Sequence, residues 1–214
     1  MTPAPSAYHQ RVAQEKRALI VQAATELFLE LGYDRASLAR VADRAGVSKA
    51  TLFKQFPTKA ALFDAIVIDS WAESEVAEVP PAGDLTAGLT VLGRRYATLL
   101  SQSAMTDLFR IVIAELPRFP GLAKAHFSRG KLPYFESVRI YLVTEREAGA
   151  ADVADPEMAA TQFLGMISNY LLWPSLVLPD WTVTPDRTTA VVDEAVRTMV
   201  ARYGTAPPVW TDGG

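Results

Sequence analysis

The sequence predicts an all-α protein in which a compact three-helix unit is followed by a larger helical region. Apolar residues over 16–31 recur at i, i+3, i+4 and i+7, which is the spacing of one helix face. Two shorter helices fit residues 37–59 on either side of a tight turn. Beyond them the chain lacks the alternation typical of β-strands, and its periodic segments break at proline and glycine.

The first helix is predicted over residues 16–31, KRALIVQAATELFLEL. Its apolar stripe consists of Ile20, Ala23, Ala24, Leu27, Phe28 and Leu31. Gly32 is expected to end the helix, because glycine readily adopts the backbone conformation of a helix stop.

Residues 37–59, SLARVADRAGVSKATLFKQFPTK, have the pattern of a helix-turn-helix. Ser37 and Ser48 stand at the N-cap positions of the two helices, where a serine oxygen accepts a free backbone N–H. Gly46 supplies the sharp turn. The second helix begins at Lys49 and carries small, polar and cationic groups of the kind that suit base edges and phosphates in the DNA major groove. The pattern alone also fits two core helices of a protein that never contacts DNA.

Residues 16–64 resemble the tetracycline-repressor-like (TetR) family of bacterial transcription regulators. The resemblance is carried by Ile20, Ala24, Phe28, Gly32-Tyr33, Val41-Ala42, Ala45-Gly46-Val47-Ser48, Thr51-Leu52, Phe56, Lys59 and Leu62. It implies base-edge contacts for Lys49 and Ala50. It implies contacts with phosphates or the groove wall for Thr51, Phe53, Gln55 and Lys59.

The complete predicted DNA-binding set is Ser37, Arg44, Ser48, Lys49, Ala50, Thr51, Phe53, Lys54, Gln55 and Lys59. The chain departs from the family at two of these positions. Phe53 stands where family members often carry tyrosine, so a hydroxyl-to-phosphate hydrogen bond is expected to be missing. Ala50 replaces a common glycine and offers a methyl group against which a thymine methyl could pack.

Six further helices are predicted over residues 58–79, 84–101, 105–116, 121–147, 155–178 and 185–203. The fourth of these is expected to be strained or broken near Gly130 and Pro133. Asp155 is the expected cap of the fifth, and Pro174 is expected to bend or shorten it. Gly204 is expected to end the last helix.

The predicted organisation is a flexible arm (1–15), a helix-turn-helix DNA-binding domain (16–64), a helical effector-binding and dimerisation domain (65–204) and a loose tail (205–214). Residues 109–127 and 149–167 are similar to the regulatory domain of the AefR- and AcrR-like subgroup. That similarity implies a sensor domain that binds a small effector and pairs through its last two helices.

An effector site is expected among the aromatic residues of the second domain, since small-molecule sites are largely apolar with few polar groups. The predicted lining residues are Trp71, Tyr96, Phe109, Phe127, Phe163, Met166 and Asn169. Asn169 is the expected orienting polar group; the alternative is a satisfied hydrogen bond at the dimer seam.

The predicted dimer interface consists of Gly165, Ser168, Leu172, Val191, Ala195 and Thr198. Small residues allow two helices to approach closely, and repeated apolar positions bury a four-helix seam. Packing within one chain is the alternative. A homodimer is expected because paired recognition helices read palindromic half-sites.

Charge divides the chain into a basic head and an acidic remainder. Residues 1–64 hold nine basic and six acidic side chains, a net charge of +3, whereas the rest of the chain carries −6. This division suits a DNA-binding module joined to a domain that does not bind DNA, although ordinary fluctuation of surface charge would also produce it.

Catalysis and cofactor binding find no support in the sequence. It has two histidines, no cysteine, and none of the GxSxG, HExxH or Rossmann glycine motifs, so no enzyme, cofactor or metal site is expected. It has no long apolar run and no signal-peptide core, which favours the cytoplasm over a membrane.

The predicted function is that of a homodimeric transcription regulator. We expect a repressor that binds a palindromic double-stranded operator and is released by a small molecule. The alternatives are a helical ligand-binding adaptor without DNA binding and a small all-α enzyme.

Overall fold

The computed structural model of the protein describes residues 7–75, 79–178 and 180–205, and these residues confirm the all-α prediction. No β-strand occurs among them; a single antiparallel bridge joins Ala151 and Gly204. The α-helices are α1 (Ala7–Arg35), α2 (Leu38–Arg44), α3 (Lys49–Gln55), α4 (Lys59–Glu75), α5 (Leu85–Leu100), α6 (Ser103–Glu115), α7 (Pro120–His126), α8 (Leu132–Glu147), α9 (Pro156–Leu171), α10 (Trp173–Val177) and α11 (Pro185–Tyr203).

The predicted helix caps are present. Ser37 accepts a hydrogen bond from the Arg40 amide at 3.3 Å, and Ser48 accepts one from the Thr51 amide at 3.1 Å. Asp155 caps α9 in the same way. These side chains satisfy amides that the first turn of a helix leaves without an intrahelical partner.

Glycine and proline interrupt the helices where the sequence predicted. Gly32 has φ 79° and ψ 156°, which stops the regular helix of α1. A π-helical turn, Phe127–Lys131, separates α7 from α8 at the predicted break. Pro174 limits α9, which ends at Leu171 and is followed by the short α10.

Packing divides the chain into two compact units. Unit 1 comprises the chain up to Ala72 together with Ser103–Lys131, and unit 2 comprises Glu73–Gln102 together with the chain from Leu132 onward. In unit 1, α1 packs against α2 and α6, α2 packs against α3, and α6 packs against α7. Unit 1 therefore holds the helix-turn-helix and also two helices that the sequence placed in the second domain.

Unit 2 is a bundle in which α5, α9 and α11 pack against one another and α8 packs against α9. The Tyr134 hydroxyl donates to the Leu92 carbonyl at 2.6 Å, and the Tyr141 hydroxyl donates to the Asp84 carbonyl at 2.9 Å. The carboxylate of the fully buried Glu145 accepts the Gly83 amide.

The largest departure from the predicted boundaries lies at the start of the chain. The helix α1 begins at Ala7, so residues 7–15, expected to form part of a flexible arm, are helical. The predicted helix over 58–79 is observed as α4, which ends at Glu75. Residues 1–6 of the predicted arm, residues 76–78 and residues 206–214 of the predicted tail lie outside the described residues.

Candidate nucleic-acid interface and ligand site

The helix α3 has one buried face and one exposed face. Leu52 is completely buried, and Phe56 directly after the helix is 2% exposed. On the opposite side, Lys49, Ala50, Phe53 and Lys54 are exposed, while Thr51 and Gln55 are half-buried. The predicted base-reading residues Lys49 and Ala50 thus lie together on the outer surface of the second helix of the helix-turn-helix.

Lys49 and Lys54 are available for an anionic partner. Within the part of the chain that the structure describes, neither ammonium forms an ion pair or a side-chain hydrogen bond. Phe53 lies between them in sequence and is 48% exposed. Two free cations beside an exposed ring are suited to contact a phosphate backbone and the groove wall.

A groove that sequence reasoning missed runs between the start of α1 and α3. Its volume is about 540 Å³, and it is lined by Val12, Ala13, Gln14, Lys16, Arg17, Thr51, Lys54 and Gln55. The Arg17 guanidinium forms an ion pair with Asp69 at 3.2 Å and lies over the Phe56 ring. Lys16, by contrast, has no ion-pair partner among the described residues. The side chains of Lys16 and Lys54, which come from two different helices, therefore line the same groove.

Lys59 has partners that the sequence did not indicate. Its ammonium donates to the carbonyls of Tyr33, Asp34 and Ala36 at 2.6, 2.9 and 3.0 Å and lies 4.5 Å from the centre of the Tyr33 ring. Burial lowers the pKa of Lys59, although Asp34 and Glu115 act in the opposite direction. All three donors of the ammonium are engaged within the protein, so the predicted phosphate contact would require Lys59 to leave this site.

Arg44 and the two serine caps are also occupied by internal contacts. Arg44 donates to both carboxylate oxygens of Glu30, at 2.9 and 3.0 Å, and also approaches Glu26 at 3.5 Å. This hydrogen bond lowers the pKa of Glu30 and raises that of Arg44. Ser48 contacts the Thr51 hydroxyl at 2.8 Å. Their role is to hold the helix-turn-helix in shape, and any DNA contact by these groups remains a prediction.

Three of the predicted effector-site residues lie in unit 1. Trp71 is buried, Phe109 is half-buried and Phe127 is 52% exposed. The structure brings the first two together around a residue absent from the prediction, His126. Its ring centre lies 4.5 Å from that of Phe109 in an edge-on arrangement and 5.9 Å from that of Trp71.

The other four predicted effector-site residues lie in unit 2. Tyr96 is stacked on Tyr134 at 5.2 Å, and burial raises the pKa of Tyr96 to about 12. Phe163 is completely buried, Met166 is half-buried and Asn169 is exposed. The seven residues are thus distributed between two packed units.

Only some of the predicted dimer-interface residues are exposed, so that a second chain could contact them. Gly165 and Thr198 are exposed, and Ser168 and Val191 are half-buried. Leu172 and Ala195 are each 2% exposed, because they pack into the core of their own chain as the alternative interpretation required. Large apolar side chains that the prediction did not include are exposed on α9 and α10 and just after α10: Met158, Trp173, Val177 and Leu178.

Comparison with known proteins identifies the family. The family model of bacterial regulatory proteins, tetR family, matches residues 20–66. The model of the AefR-like transcriptional repressor, C-terminal domain, matches residues 87–205, which is more than half of the chain. The chain belongs to the TetR family. It is a DNA-binding transcriptional regulator, and the predicted subgroup agrees with the AefR-like match.

Relatives of known structure support the TetR fold over nearly the whole chain. A TetR-family transcriptional regulator from Mesorhizobium loti is 26% identical, with a TM-score of 0.77, 90% of this chain covered and 98% of the other. The flavonoid-responsive regulator FrrA is 28% identical, with a TM-score of 0.71 and the same coverages. By sequence alone, an HTH-type transcriptional regulator from Mycobacterium bovis is also similar. It is 28% identical, and the match covers 82% of this chain and 83% of the relative.

The TetR family is a family of transcriptional regulators. Among the residues that the structure describes, no helix combines the length and apolar character needed to cross a bilayer.

Proposed function

We propose that the protein is a homodimeric TetR-family repressor that binds a palindromic operator through α3 and is released by a small organic effector. The observation that carries the DNA-binding surface is the exposed face of α3, where Lys49 and Lys54, which have no ion-pair partner among the described residues, lie beside Ala50 and Phe53. The caps at Ser37 and Ser48 fix the two helices that present this face.

We place Lys16 on the same surface. It lies in the groove between α1 and α3 together with Lys54. A phosphate in this groove would meet two ammonium groups from different helices, so the contact would fix the orientation of α3 without reading sequence.

The proposed dimer forms through the exposed side of α9 and α10. A Cβ added to Gly165 would meet nothing within 4 Å, so the helix surface there is open in the single chain. Trp173 and Val177 are 53% and 75% exposed, and a second copy of the chain would bury them. A two-fold pair presents two copies of α3 to successive half-sites of a palindrome.

The proposed effector is a small molecule with aromatic character, acting in the cytoplasm where the DNA lies. Aromatic clusters in both units support this class, and FrrA, 28% identical over 90% of this chain, is described as flavonoid-responsive. Effector binding would favour one of two conformations that differ in affinity for the operator.

The DNA-binding proposal is tested by selecting operators from a random double-stranded library with the purified protein. We expect a palindromic motif, and we expect Lys49→Ala to change base preference at one symmetric position, with a discrimination loss of about 1–3 kcal/mol if Lys49 meets a guanine. The matched control is Lys124→Ala, an exposed lysine on α7. Recovery of no motif, or of a motif from the wild type that Lys49→Ala reproduces unchanged, would contradict the assignment.

The sign of regulation is tested with a reporter gene behind the selected operator. We expect lower expression in the presence of the protein. Higher expression would identify an activator, which is how the FasR protein of Mycolicibacterium smegmatis, 42% identical over 53 residues, is described.

A further inference from the structure

His126 is a buried polar side chain that finds no hydrogen-bond partner in the part of the chain that the structure describes. It is 6% exposed, and neither Nδ1 nor Nε2 has a hydrogen-bond partner among the described residues. A neutral imidazole carries one donor and one acceptor, and burying both unsatisfied costs free energy. Most buried polar groups in proteins are paired, so this exception requires an explanation.

The surroundings of His126 have the composition of a ligand site. The rings of Phe109 and Trp71 flank the imidazole. Phe109 is half-buried, so this cluster is not completely enclosed by protein at Phe109. An apolar wall with one convergent polar group is the usual arrangement for binding a small organic molecule.

The backbone that follows His126 contacts α4, the helix that carries Trp71. His126 immediately precedes the π-helical turn Phe127–Lys131, a rare geometry that occurs often at functional sites. Within this turn, Gly130 lies so close to Trp71 that a Cβ would approach the indole to 2.5 Å. Arg129 in the same turn forms an ion pair with Asp64 on α4 at 2.7 Å.

We propose that His126 is the polar recognition group for an uncharged aromatic effector that carries a hydroxyl or carbonyl group. This inference rests on the proposed effector function and specifies the class of molecule and the group that recognises it. A ligand hydroxyl satisfies one ring nitrogen, while the ligand ring packs against Phe109 and Trp71. Because Trp71 and Asp64 belong to α4, a ligand that displaces the indole or the π-helical turn acts directly on the helix that follows the helix-turn-helix.

An uncharged ligand is preferred over an anion for a physical reason. Burial, assisted by the Lys131 ammonium, lowers the pKa of His126 to about 4, so the imidazole is neutral near pH 7. A carboxylate would therefore meet a neutral imidazole at His126 and would lose its hydration on entering the cluster.

The test uses 4-methylphenol as the probe, with 1,4-dimethylbenzene as a matched molecule without the hydroxyl and 4-methylbenzoate as the charged one. The chain has two histidines, so ¹⁵N-histidine labelling gives two sets of ring signals, and His9→Gln identifies those of His126. We expect 4-methylphenol to shift a His126 nitrogen signal and to bind at least five-fold more tightly than either comparison molecule. In His126→Phe this preference should fall below two-fold.

His126→Phe also provides a readout that a structural role would not give. Replacing an unsatisfied polar ring by an apolar ring of similar shape should preserve or raise the unfolding midpoint while removing the preference for the hydroxyl. His126→Gln keeps a donor and an acceptor and should retain part of the preference. Equal binding of all three molecules, no binding of 4-methylphenol, or a preference unchanged in both variants would overturn the proposal.

Operator binding without ligand is measured on the same preparations. If the wild type binds operator DNA but 4-methylphenol leaves the His126 signals unchanged, the ligand inference fails and the DNA-binding proposal stands. If 4-methylphenol binds at His126 and no operator is found, the proposed repressor function fails and the recognition site stands.

Discussion

The carboxylate of Glu115 occupies the space that a side chain at Gly32 would need. A Cβ at Gly32 would lie 2.6 Å from Oε1 of Glu115, and Gly32 also has φ +79°, a conformation that L side chains rarely adopt. Glu115 is 8% exposed, so it has little freedom to move away. The end of the regular helix in α1 and the end of α6 therefore depend on a glycine for two separate reasons.

Gly32→Ala should destabilise the protein more than Gly46→Ala. Both glycines have positive φ, but a Cβ at Gly46 meets nothing within 4 Å. Positive φ strains alanine in both variants by about 1–3 kcal/mol. Gly32, with ψ 156°, lies in a region that is nearly restricted to glycine, and the clash with Glu115 adds to its loss. Urea unfolding measures the difference, and Gly32→Ala combined with Glu115→Ala should recover the clash contribution. Equal losses of unfolding free energy in the two glycine variants would show that the Glu115 side chain can move aside at little cost.

Lys59→Met should lower stability and leave the salt dependence of DNA binding unchanged. Methionine keeps part of the apolar stem but removes three hydrogen bonds to the carbonyls at the end of α1, a loss of about 1–3 kcal/mol. Thermal unfolding and operator titrations at several salt concentrations provide the two readouts. Unchanged stability with a salt slope lower by about 1.8 per dimer would instead support the phosphate contact predicted from the sequence.

Lys16→Ala should weaken binding to all DNA sequences and leave the selected operator motif unchanged. Removing one ammonium–phosphate pair lowers the slope of log K against log salt by about 0.9, or roughly 1.8 for a dimer. Lys124→Ala is the matched control, with no change in slope expected. A wild-type slope in Lys16→Ala would exclude Lys16 from the interface.

The pKa of His126 predicts an acid-sensitive component of stability. The ordinary pKa of 6.5 applies to the unfolded chain and about 4 to the folded protein, so the unfolded chain binds more protons between these values. The free energy of unfolding is therefore highest above pH 6.5 and falls by up to about 3 kcal/mol as pH decreases toward 4. Carboxylates titrate in the same range, but comparison with His126→Phe cancels them. Parallel pH curves for the two proteins would show that His126 accepts a proton while folded.

Gly165→Leu should weaken the proposed dimer without unfolding the chain. The open space at this position accommodates a side chain in one protomer, whereas a second helix packed against the glycine would be displaced. Analytical ultracentrifugation measures the association, and circular dichroism checks the helix content. Gly121→Leu is the control, because its Cβ also meets open space but lies on α7. Identical association constants for the wild type and Gly165→Leu would show that Gly165 lies outside the dimer interface.

Local features were predictable because they depend on near neighbours in sequence. Ser37, Ser48 and Asp155 cap helices through an amide three residues away. The start of α1 was missed because residues 7–15 carry no apolar stripe. Several of these residues nevertheless have high helix propensity, such as Ala13, Gln14 and Glu15, and the helix continues through them.

Partners distant in sequence were not predictable. Periodicity identified Leu172 and Ala195 as an apolar face but could not distinguish a second chain from their own core. Nothing near Lys59 indicated that its ammonium would reach the carbonyl of Tyr33, 26 residues earlier. His126 was overlooked because a lone histidine on a helix gives no sign of whether its nitrogens find partners.

The internal ion pairs of the head bear on how the protein finds its operator. Arg17 and Arg44 are paired with acidic side chains, and all three donors of the Lys59 ammonium are taken by carbonyls, so these groups have few donors left for phosphates. On the proposed α3 surface and in the groove beside it, random genomic DNA would then meet Lys16, Lys49 and Lys54. We expect short residence on such DNA and rapid exchange between sites, with long occupancy reserved for sequences whose base edges fit α3.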